Sequence, residues 1–345
     1  MTRPADLLPL HDPVAVPGRL LDQHGRVARD LRISLTDRCN LRCDYCMPAE
    51  GLPWQSREQH LTAAEIVRLV GLLAAHGVQT VRLTGGEPLL RRDLPEIVAA
   101  MHAIDGIEDV ALTTNGVLLE RQAAALAAAG GARLNVSLDT TDPEGFRQIT
   151  RRDDLQRVLA GLVEARKYPK LGPIKINAVA IKGVTEQALD GLLAVAASVD
   201  AELRFIEPMP LDAGHRWTPD DGLSGAALRE LLATRGDLRV LPAPASSTAR
   251  RFEIGAGGQV VGFISSVSEP FCSSCDRLRL TADGQLRSCL FSHEEGDLRT
   301  PMREGATDAE LTDVVFGTVW RKPRGHGMDE PGFEPPDRPM SAIGG

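Results

Sequence analysis

The chain has 345 residues, and 39 Lys and Arg against 47 Asp and Glu give it a formal net charge of −8. Its 43% hydrophobic and 25% charged residues are typical of a globular protein, and its length suits one large core with a smaller appended unit. The acidic balance argues against a general binder of nucleic acid or anionic membranes, which needs a broad basic face.

Residues 1–20 are predicted to be a flexible extension. The N-terminus has prolines and acids where a secretory signal needs an apolar stretch. No apolar run approaches the ~20 residues that cross a bilayer. We therefore expect a cytoplasmic protein with no membrane or nucleic-acid partner.

Residues 21–215 alternate short apolar strands with amphipathic helices. The predicted strands are 31–35, 80–84, 109–113, 133–138, 174–181 and 203–207. The predicted helices follow a capping box at Thr62–Glu65 and a similar start at Asp93–Glu96, and continue with 118–129, 154–167 and 185–199. This alternation predicts parallel β/α units, and so an α/β fold. Six units favour an incomplete (β/α)6 TIM-like barrel, with an open doubly wound sheet as the alternative.

Residues 216–322 break this rhythm and are predicted to form a smaller α+β unit. A helix near 224–235 leads through a linker at 242–249 to hairpin-like strands over 250–255 and 259–266, and a last helix lies near 307–320. Residues 323–345 are rich in Pro and Gly and are predicted to be a largely irregular tail.

The first of two cysteine groups is Cys39, Cys43 and Cys46, directly after the first predicted strand. Loops at this end of barrel strands hold the active sites of β/α enzymes. Three thiolates can bind three irons of a [4Fe–4S] cluster and leave the fourth iron open. A four-ligand zinc site and free thiols are the alternatives.

The second group is Cys272, Cys275 and Cys289. His293 follows three residues after the last cysteine, so a Cys3His zinc site fits this spacing as well as a second open cluster does. The chain is too long and too poor in cysteine for a disulfide scaffold.

The C-x3-C-x2-C motif, with Tyr45 before its last cysteine, resembles the signature of the radical S-adenosylmethionine (SAM) superfamily. The sequence Thr84–Pro88 (TGGEP) resembles the glycine-rich loop that receives the SAM amino group. The second triad lies in CSSCDRLRLTADGQLRSC, which is similar to the C-terminal region of the GTP 3′,8-cyclase family. In that family the triad carries a second [4Fe–4S] cluster, and members end in two glycines, as this chain does at Gly344 and Gly345.

The resemblance implies a lyase with two [4Fe–4S] clusters and SAM, which converts GTP to 3′,8-cyclo-7,8-dihydro-GTP in the first step of molybdenum cofactor biosynthesis. A 5′-deoxyadenosyl radical would abstract the ribose C3′ hydrogen, which is not acidic. Implied partners are an electron donor such as flavodoxin or ferredoxin and the cyclic pyranopterin monophosphate synthase that receives the product. The protein is expected to be a monomer or homodimer. A peptide-modifying radical SAM enzyme and a non-enzymatic iron–sulfur or zinc protein are the alternatives.

The resemblance also implies roles for individual residues. The implied SAM contacts are Tyr45, Gly86, Ser137 and Met209, and the implied GTP contacts are Arg32, Arg82, Thr113, Lys175, Arg277, Leu278 and Arg279. The implied catalytic residues are Cys39, Cys43, Cys46, Arg277, Arg279, Gly344 and Gly345. Alternation along 277–281 predicts that Arg277 and Arg279 share one strand face, as phosphate binding would require. Asp276 stands where the family commonly has Asn, so the direction of its side chain matters.

Overall fold

A computed structural model describes residues 18–214, 217–243, 247–255 and 258–344 of the chain. Its strands are β1 (Asp30–Ser34), β2 (Thr80–Thr84), β3 (Asp109–Thr114), β4 (Arg133–Ser137), β5 (Lys175–Val179), β6 (Glu202–Ile206), β7 (Leu238–Leu241), β8 (Arg250–Ile254), β9 (Val260–Ile264), β10 (Arg277–Leu280), β11 (Gln285–Arg287) and β12 (Gly296–Asp297). Its helices are α1 (Ala63–Ala75), α2 (Leu94–His102), α3 (Leu119–Ala128), α4 (Pro143–Thr150), α5 (Leu155–Arg166), α6 (Thr185–Ser198), α7 (Gly225–Ala233), α8 (Arg299–Arg303), α9 (Asp308–Trp320) and α10 (Met340–Ile343). None of these described helices is long and apolar enough to cross a membrane.

The described strands pair into a 12-stranded sheet in the order β12-β11-β10-β1-β2-β3-β4-β5-β6-β9-β8-β7. The strands from β10 to β9 are parallel, and antiparallel strands extend both edges. Because the order has two ends, the described strands do not close into a full barrel. β1 to β6 lie side by side in chain order, whereas the strand order of a doubly wound sheet reverses at a switch point. The predicted α/β fold with an incomplete parallel barrel is therefore confirmed.

Strands that follow residue 215 extend the sheet on both sides of the six predicted β/α units. β10 pairs in parallel with β1, with Asp30 opposite Arg277, and β9 pairs in parallel with β6, with Leu203 opposite Val261. The hairpin predicted from the sequence is present as β8 and β9. The boundary between residues 215 and 216 stays a prediction, since strands from both sides of it share one sheet.

The predicted helices begin where apolar periodicity and caps place them, with one difference in the capping, whereas α4 and α8 were not predicted. At α1 the Thr62 hydroxyl accepts from the Glu65 amide at 3.2 Å, and the Glu65 carboxylate accepts from the Thr62 amide at 2.7 Å. The prediction of a similar side-chain cap for α2 is wrong. The Asp93 carboxylate instead accepts from Arg91, at 2.8 and 3.0 Å, because a guanidinium two residues away competes with the helix amides.

The two ends of the chain are more ordered than predicted, where they are described. Leu20 is fully buried, and its amide donates to His76 O at 3.3 Å. It is the last residue of the predicted extension, of which 1–17 lie outside the described residues. The tail has no helix or strand over 323–339, as expected, but ends in the short α10, whose four residues are too few for periodicity to indicate.

Candidate active site

The inward side chains of the parallel strands and the loops at both ends of these strands surround a cavity of about 740 Å³. Cys46 of the first triad lines it, and so do Cys272, Cys275 and Cys289 of the second. Cys39, Cys43 and Cys46 follow β1 at the carboxyl end of the parallel strands. Cys275 precedes β10 and Cys289 follows the antiparallel β11, so the second triad lies at their amino end and the cavity extends between the two groups. A cavity of this size suits a nucleotide-sized ligand.

Three arginines stand side by side on the inner face of the sheet. The parallel register places Arg32 of β1 between Arg279 of β10 and Arg82 of β2, and all three line the cavity. Leu31 and Leu278 point to the opposite face and are fully buried in the main hydrophobic core. The predicted alternation along β10 is therefore confirmed.

Positive charge is in excess on this inner face. The Nε atoms of Arg32 and Arg82 are buried without a hydrogen-bond acceptor among the described residues. Burial, together with the adjacent charge of Arg32, lowers the pKa of Arg82 to about 9. Burial and the charges of Arg204 and Arg133 lower the pKa of Lys175 to about 7. A polyanion bound here would neutralise these groups, and forked guanidinium contacts suit phosphate oxygens.

Polar side chains on β4, β5 and β6 complete the cavity wall, and several of them were not predicted from the sequence. Asn135, Asn177 and Arg204 line the cavity, and the register places Asn177 between Ser137 and Arg204. The signal was present in the sequence. In strands buried on both faces, polar residues at every second position indicate the face that meets a cavity.

The loop that carries the first triad is held against the Gly85–Gly86 turn after β2. The Gly86 amide donates to Thr36 O at 2.7 Å. A Cβ on Gly86 would overlap the carbonyl oxygen of Arg38, and Gly85 has a φ of +135°. Both positions require glycine, because two backbones are in direct contact just before Cys39.

Buried Glu87 joins this turn to the loop after β3. Its carboxylate accepts from Thr114 Oγ1 and from the Asn115 amide, both at 2.7 Å, and burial raises its pKa to about 7. The Asn115 side chain donates to Asn40 Oδ1 at 2.8 Å and lies 3.8 Å from Cys39 Sγ. The cysteine loop, the glycine turn and the end of β3 therefore form one hydrogen-bonded unit.

Tyr45 lines the cavity and is anchored by its hydroxyl. The hydroxyl donates to Asp139 Oδ2 at 2.7 Å, and Asp139 Oδ1 accepts from the Val179 amide at 2.8 Å. Burial raises the pKa of Asp139 to about 6. The ring is thus fixed beside Cys46 by contacts to the ends of β4 and β5.

The second triad is positioned by β10, β11 and a short 3₁₀ turn. Cys272 lies in the turn, Cys275 lies just before β10, and Cys289 follows β11. The buried Lys322 ammonium donates to Arg277 O at 2.8 Å. Burial alone would raise the pKa of Cys275, but Lys322 and Arg277 lower it below the usual thiol value.

A buried carboxylate ties the second triad's loop to the barrel. Glu207, directly after β6, accepts from the Val267 and Ser268 amides at 2.9 and 2.8 Å, and from the Gly225 amide at 3.0 Å. It thereby fixes the segment between β9 and Cys272. Glu207 also lines the cavity, and the sequence analysis missed it.

The Cys3His zinc alternative is not favoured. His293 is exposed, and its Nε2 lies 3.2 Å from Glu334 O. Among the described residues no group of three or more His, Cys, Asp or Glu side chains is placed to hold a single metal ion. All six cysteines are free of disulfides.

The chemistry of the two triads fits an iron–sulfur cluster. Burial raises the pKa of Cys43 well above the usual thiol value, and Asp139 and the other two thiols of its triad raise it further. Burial also raises the pKa of Cys272, and the other two thiols of the second triad add to this. Neighbouring buried thiols need a cation between them to ionise together, and cluster iron supplies it.

The C-terminal segment reaches the same cavity. The Ser341 backbone hydrogen-bonds to the Cys46 thiol, and the Arg279 guanidinium donates to Gly344 O. Gly344 has a φ of +77°, and side-chain atoms of β1 and β2 lie within 2.7 Å of where its Cβ would stand. Only glycine fits this position. Gly345 lies outside the described residues.

Most of the residues predicted for the site line this cavity. Those on its wall are Arg32, Tyr45, Cys46, Arg82, Thr113, Ser137, Met209, Cys272, Cys275, Arg277, Arg279 and Cys289. Those outside its wall are Cys39, Cys43, Gly86, Lys175, Leu278 and Gly344. Leu278 faces the core, so only its backbone can meet a ligand. Asp276 is also outside the wall, 3.9 Å from the Arg277 guanidinium. The individual roles given to these residues stay predictions.

Comparison with known families divides the chain in two. Residues 33–196 match the radical SAM superfamily, and residues 201–328 match the family described as Molybdenum Cofactor Synthesis C. The crystal structure of Streptococcus suis SuiB bound to S-adenosylmethionine covers 86% of this chain and 69% of that chain, with a TM-score of 0.61. At 15% identity this likeness shows the fold alone. The fold and the cysteine motif define a radical SAM protein.

Curated relatives show which family within this superfamily the chain resembles. A GTP 3′,8-cyclase of Streptomyces coelicolor is 49% identical over 94% of this chain and 96% of the relative. The one of Paenarthrobacter nicotinovorans is 48% identical over 98% and 100%, and GTP 3′,8-cyclase 2 of Mycobacterium tuberculosis is 50% identical over 97% and 95%. The chain belongs to the GTP 3′,8-cyclase family. Its cofactors are two [4Fe–4S] clusters and SAM, and the two free thiol triads fit the clusters.

Replacing Gly86 by Ala should disrupt the first cluster selectively. The added methyl group overlaps Arg38 O, so the loop before Cys39 must move. We expect a loss of about four of eight irons per chain after anaerobic purification, measured by iron and sulfide analysis.

Gly71→Ala is the matched control, because Gly71 lies within α1, has no positive φ, and has nothing within 4 Å of where its Cβ would stand. Alanine at a helix-interior position is neutral or stabilising by up to about 1 kcal/mol. A Gly86→Ala protein with full iron would show that the close backbone contact does not hold the cysteine loop.

Proposed function

We propose that the chain is a lyase that converts GTP to 3′,8-cyclo-7,8-dihydro-GTP, the first step of molybdenum cofactor biosynthesis. The observation that carries this proposal is one cavity that is lined by Cys46 of the first triad, by all three thiols of the second and by a row of arginines. Relatives at 47–50% identity that bear the name GTP 3′,8-cyclase support it. The peptide-modifying and non-enzymatic alternatives have no comparable support.

When bound, the first cluster and SAM supply the radical chemistry that removes the non-acidic ribose C3′ hydrogen. The chain itself binds and orients SAM and the substrate, and it excludes water from the site. Tyr45, Ser137 and Met209 are proposed to hold SAM, because they share the cavity wall with Cys46. Gly86 serves SAM binding through the turn that fixes the cysteine loop.

The opposite wall is proposed to hold GTP. Arg32 and Arg82 supply positive charge for a triphosphate at the wall, where Thr113 also lies. Lys175 is assigned a phosphate contact from behind this wall, next to Asn135 of β4. The second cluster, on Cys272, Cys275 and Cys289, is proposed to meet the guanine. Arg277 and Leu278 would contact the nucleotide from β10, Leu278 through its backbone.

The tail is proposed to complete the site beside GTP. Arg279 holds Gly344 O, so this guanidinium serves the tail as well as the substrate. A terminus without side chains places backbone groups next to the reacting atoms where a side chain would clash. Gly344 and Gly345 are therefore assigned to catalysis.

The proposal extends to partners and organisation. A flavodoxin or ferredoxin would donate the electron, and a cyclic pyranopterin monophosphate synthase would take the product, in the cytoplasm. The protein would act as a monomer or homodimer. Residues 21–215 would form the catalytic barrel, 216–322 the second-cluster unit and 323–345 the tail.

The two triads should divide the reaction between them. Cys43→Ser should abolish reductive SAM cleavage, since the SAM-binding iron loses its cluster. Cys275→Ser should retain some SAM cleavage but form no cyclised GTP, since only GTP placement depends on that cluster. Chromatography of 5′-deoxyadenosine and cyclised product under anaerobic, reducing conditions checks both. If both variants cleave SAM at the wild-type rate, the assignment of the first triad fails.

Arg82→Ala should weaken GTP binding without loss of iron. A lost charge-assisted phosphate contact costs about 1.5–3 kcal/mol, or roughly 10- to 150-fold in affinity. Guanosine binding should change little, because guanosine has no phosphate. Arg235→Ala, which removes an ion pair to the exposed Asp190, is the control. Equal losses for GTP and guanosine in titration calorimetry would indicate folding damage.

Deletion of Gly344 and Gly345 should leave the fold, both clusters and SAM binding intact. SAM cleavage should persist, while formation of cyclised GTP is largely lost, because the reacting ribose loses its backbone neighbours. The measurement is product formed per 5′-deoxyadenosine. Full product formation by the shortened protein would remove the tail from the reaction.

A further inference from the structure

The C-terminal segment contains a charged cluster that the proposed reaction does not use. Arg338 lies six residues before Gly344 and contacts the turn and loop that flank β11. We propose that Arg338 is a positioning residue, which fixes the point where the last residues of the chain enter the cavity. This inference rests on the proposed function of the tail.

The contacts of Arg338 are forked and shared. Its two terminal nitrogens donate to the two carboxylate oxygens of Asp283 at 3.0 and 2.9 Å, and its Nε lies 2.9 Å from Glu295 Oε1. Arg287 donates to the same Glu295 oxygen, and Thr281 Oγ1 donates to Asp283 at 2.6 Å. Two cations and two anions thus form a neutral cluster with fixed geometry.

This cluster is shielded from solvent more than most surface ion pairs. The side chains of Arg338, Asp283 and Glu295 are 26%, 14% and 18% exposed, and Arg287 is almost fully buried. Burial would raise the pKa of Asp283, but Arg338 lowers it below the ordinary value. Screening by salt and water is therefore weaker here than at an exposed pair.

Regular backbone pairing does not anchor the segment before α10. Five prolines lie within 323–339 and offer no amide, and the described residues of this stretch form no helix or strand. Arg338 is also the last charged side chain of the chain. After it, contacts within the described residues include the Met340 amide to Leu211 O at 3.0 Å, the Ser341 backbone to the Cys46 thiol, the buried Ile343, and Arg279 to Gly344 O.

The position of Arg338 is relayed to the cavity by a short rigid path. Pro339 follows it and α10 begins at Met340, so the guanidinium fixes the start of a helix whose end is Gly344. Gly344 lies close against β1 and β2, because Ser34 Oγ and Thr84 Cγ2 lie 2.6 and 2.7 Å from where a Cβ would stand, and its carbonyl oxygen accepts from Arg279. The described contacts of Arg338 include neither triad, so its loss should affect the clusters and the substrate only through the placement of the terminus.

The test compares Arg338→Gln and Arg338→Lys with the wild-type holoenzyme. The matched control is Arg321→Gln, since Arg321 pairs with the exposed Glu294 at 3.0 Å and has no hydrogen bond or ion pair to the described residues 338–344. Two readouts are taken: release of C-terminal residues by carboxypeptidase, followed by intact mass, and cyclised product per 5′-deoxyadenosine. Iron content and thermal unfolding report on folding.

We expect Arg338→Gln to release its terminus roughly tenfold faster and to lose roughly tenfold in product per 5′-deoxyadenosine, with full iron. Arg338→Lys should be intermediate, because an ammonium keeps the charge but not the fork. The control should behave as wild type. A variant combining Arg338→Gln with deletion of Gly344 and Gly345 should be no worse than the deletion alone.

The inference is overturned if Arg338→Gln releases its C-terminal residues and forms product per 5′-deoxyadenosine as the wild type does, while the deletion of Gly344 and Gly345 loses product. The proposed function would still stand in that case. If the protein without Gly344 and Gly345 forms full product, the proposed role of the tail is refuted. The carboxypeptidase assay of Arg338→Gln would then still test whether Arg338 places the terminus. If Arg338→Gln loses iron or unfolds, Asp283→Asn replaces it. A protected terminus in that iron-replete variant would overturn the inference.

Discussion

Backbone pairing between β10, β1 and β2 places Arg279, Arg32 and Arg82 side by side. Neighbouring strands lie only about 4.8 Å apart, so inward side chains at matched positions cannot avoid one another. Like charges this close repel strongly away from bulk water. The sheet that stabilises the fold thus creates an electrostatic cost that a bound polyanion removes, and Gly344 O satisfies part of it at Arg279.

The same register explains why one cavity can serve two clusters. β10 belongs to the C-terminal part of the chain, yet it pairs with the first strand of the barrel. The loop before Cys39 and the loop that carries Cys275 are thereby fixed to adjacent parallel strands. Glu207 does the same on the other side of the barrel, where it holds the segment before Cys272. Strand pairing and these hydrogen bonds thereby hold both triads in place.

Local patterns predicted the β/α elements, since capping at Thr62 and strand alternation are encoded within a few residues. Motif spacing predicted the triads. The pairing of β10 with β1 was not predictable, because it joins segments about 250 residues apart with no sequence signal between them. The alternation of polar and apolar residues along β5 and β6 indicated that Asn177 and Arg204 face the cavity. Arg338 had none, because its partners on the β10–β11 turn become neighbours only in the folded chain.

Gly86 and Gly344, far apart in the chain, both stand where a side chain would clash with neighbouring atoms. At Gly86 the backbone meets the cysteine loop, and at Gly344 it meets the side chains of β1 and β2. The difference lies in what holds each glycine in place. Gly86 is fixed on both sides by the sheet and by the Glu87 hydrogen bonds, whereas Gly344 follows a proline-rich segment without regular pairing. A terminus that fits closely against β1 and β2 therefore needs a separate anchor, and the forked contact of Arg338 with Asp283 on the β10–β11 turn has the required directionality.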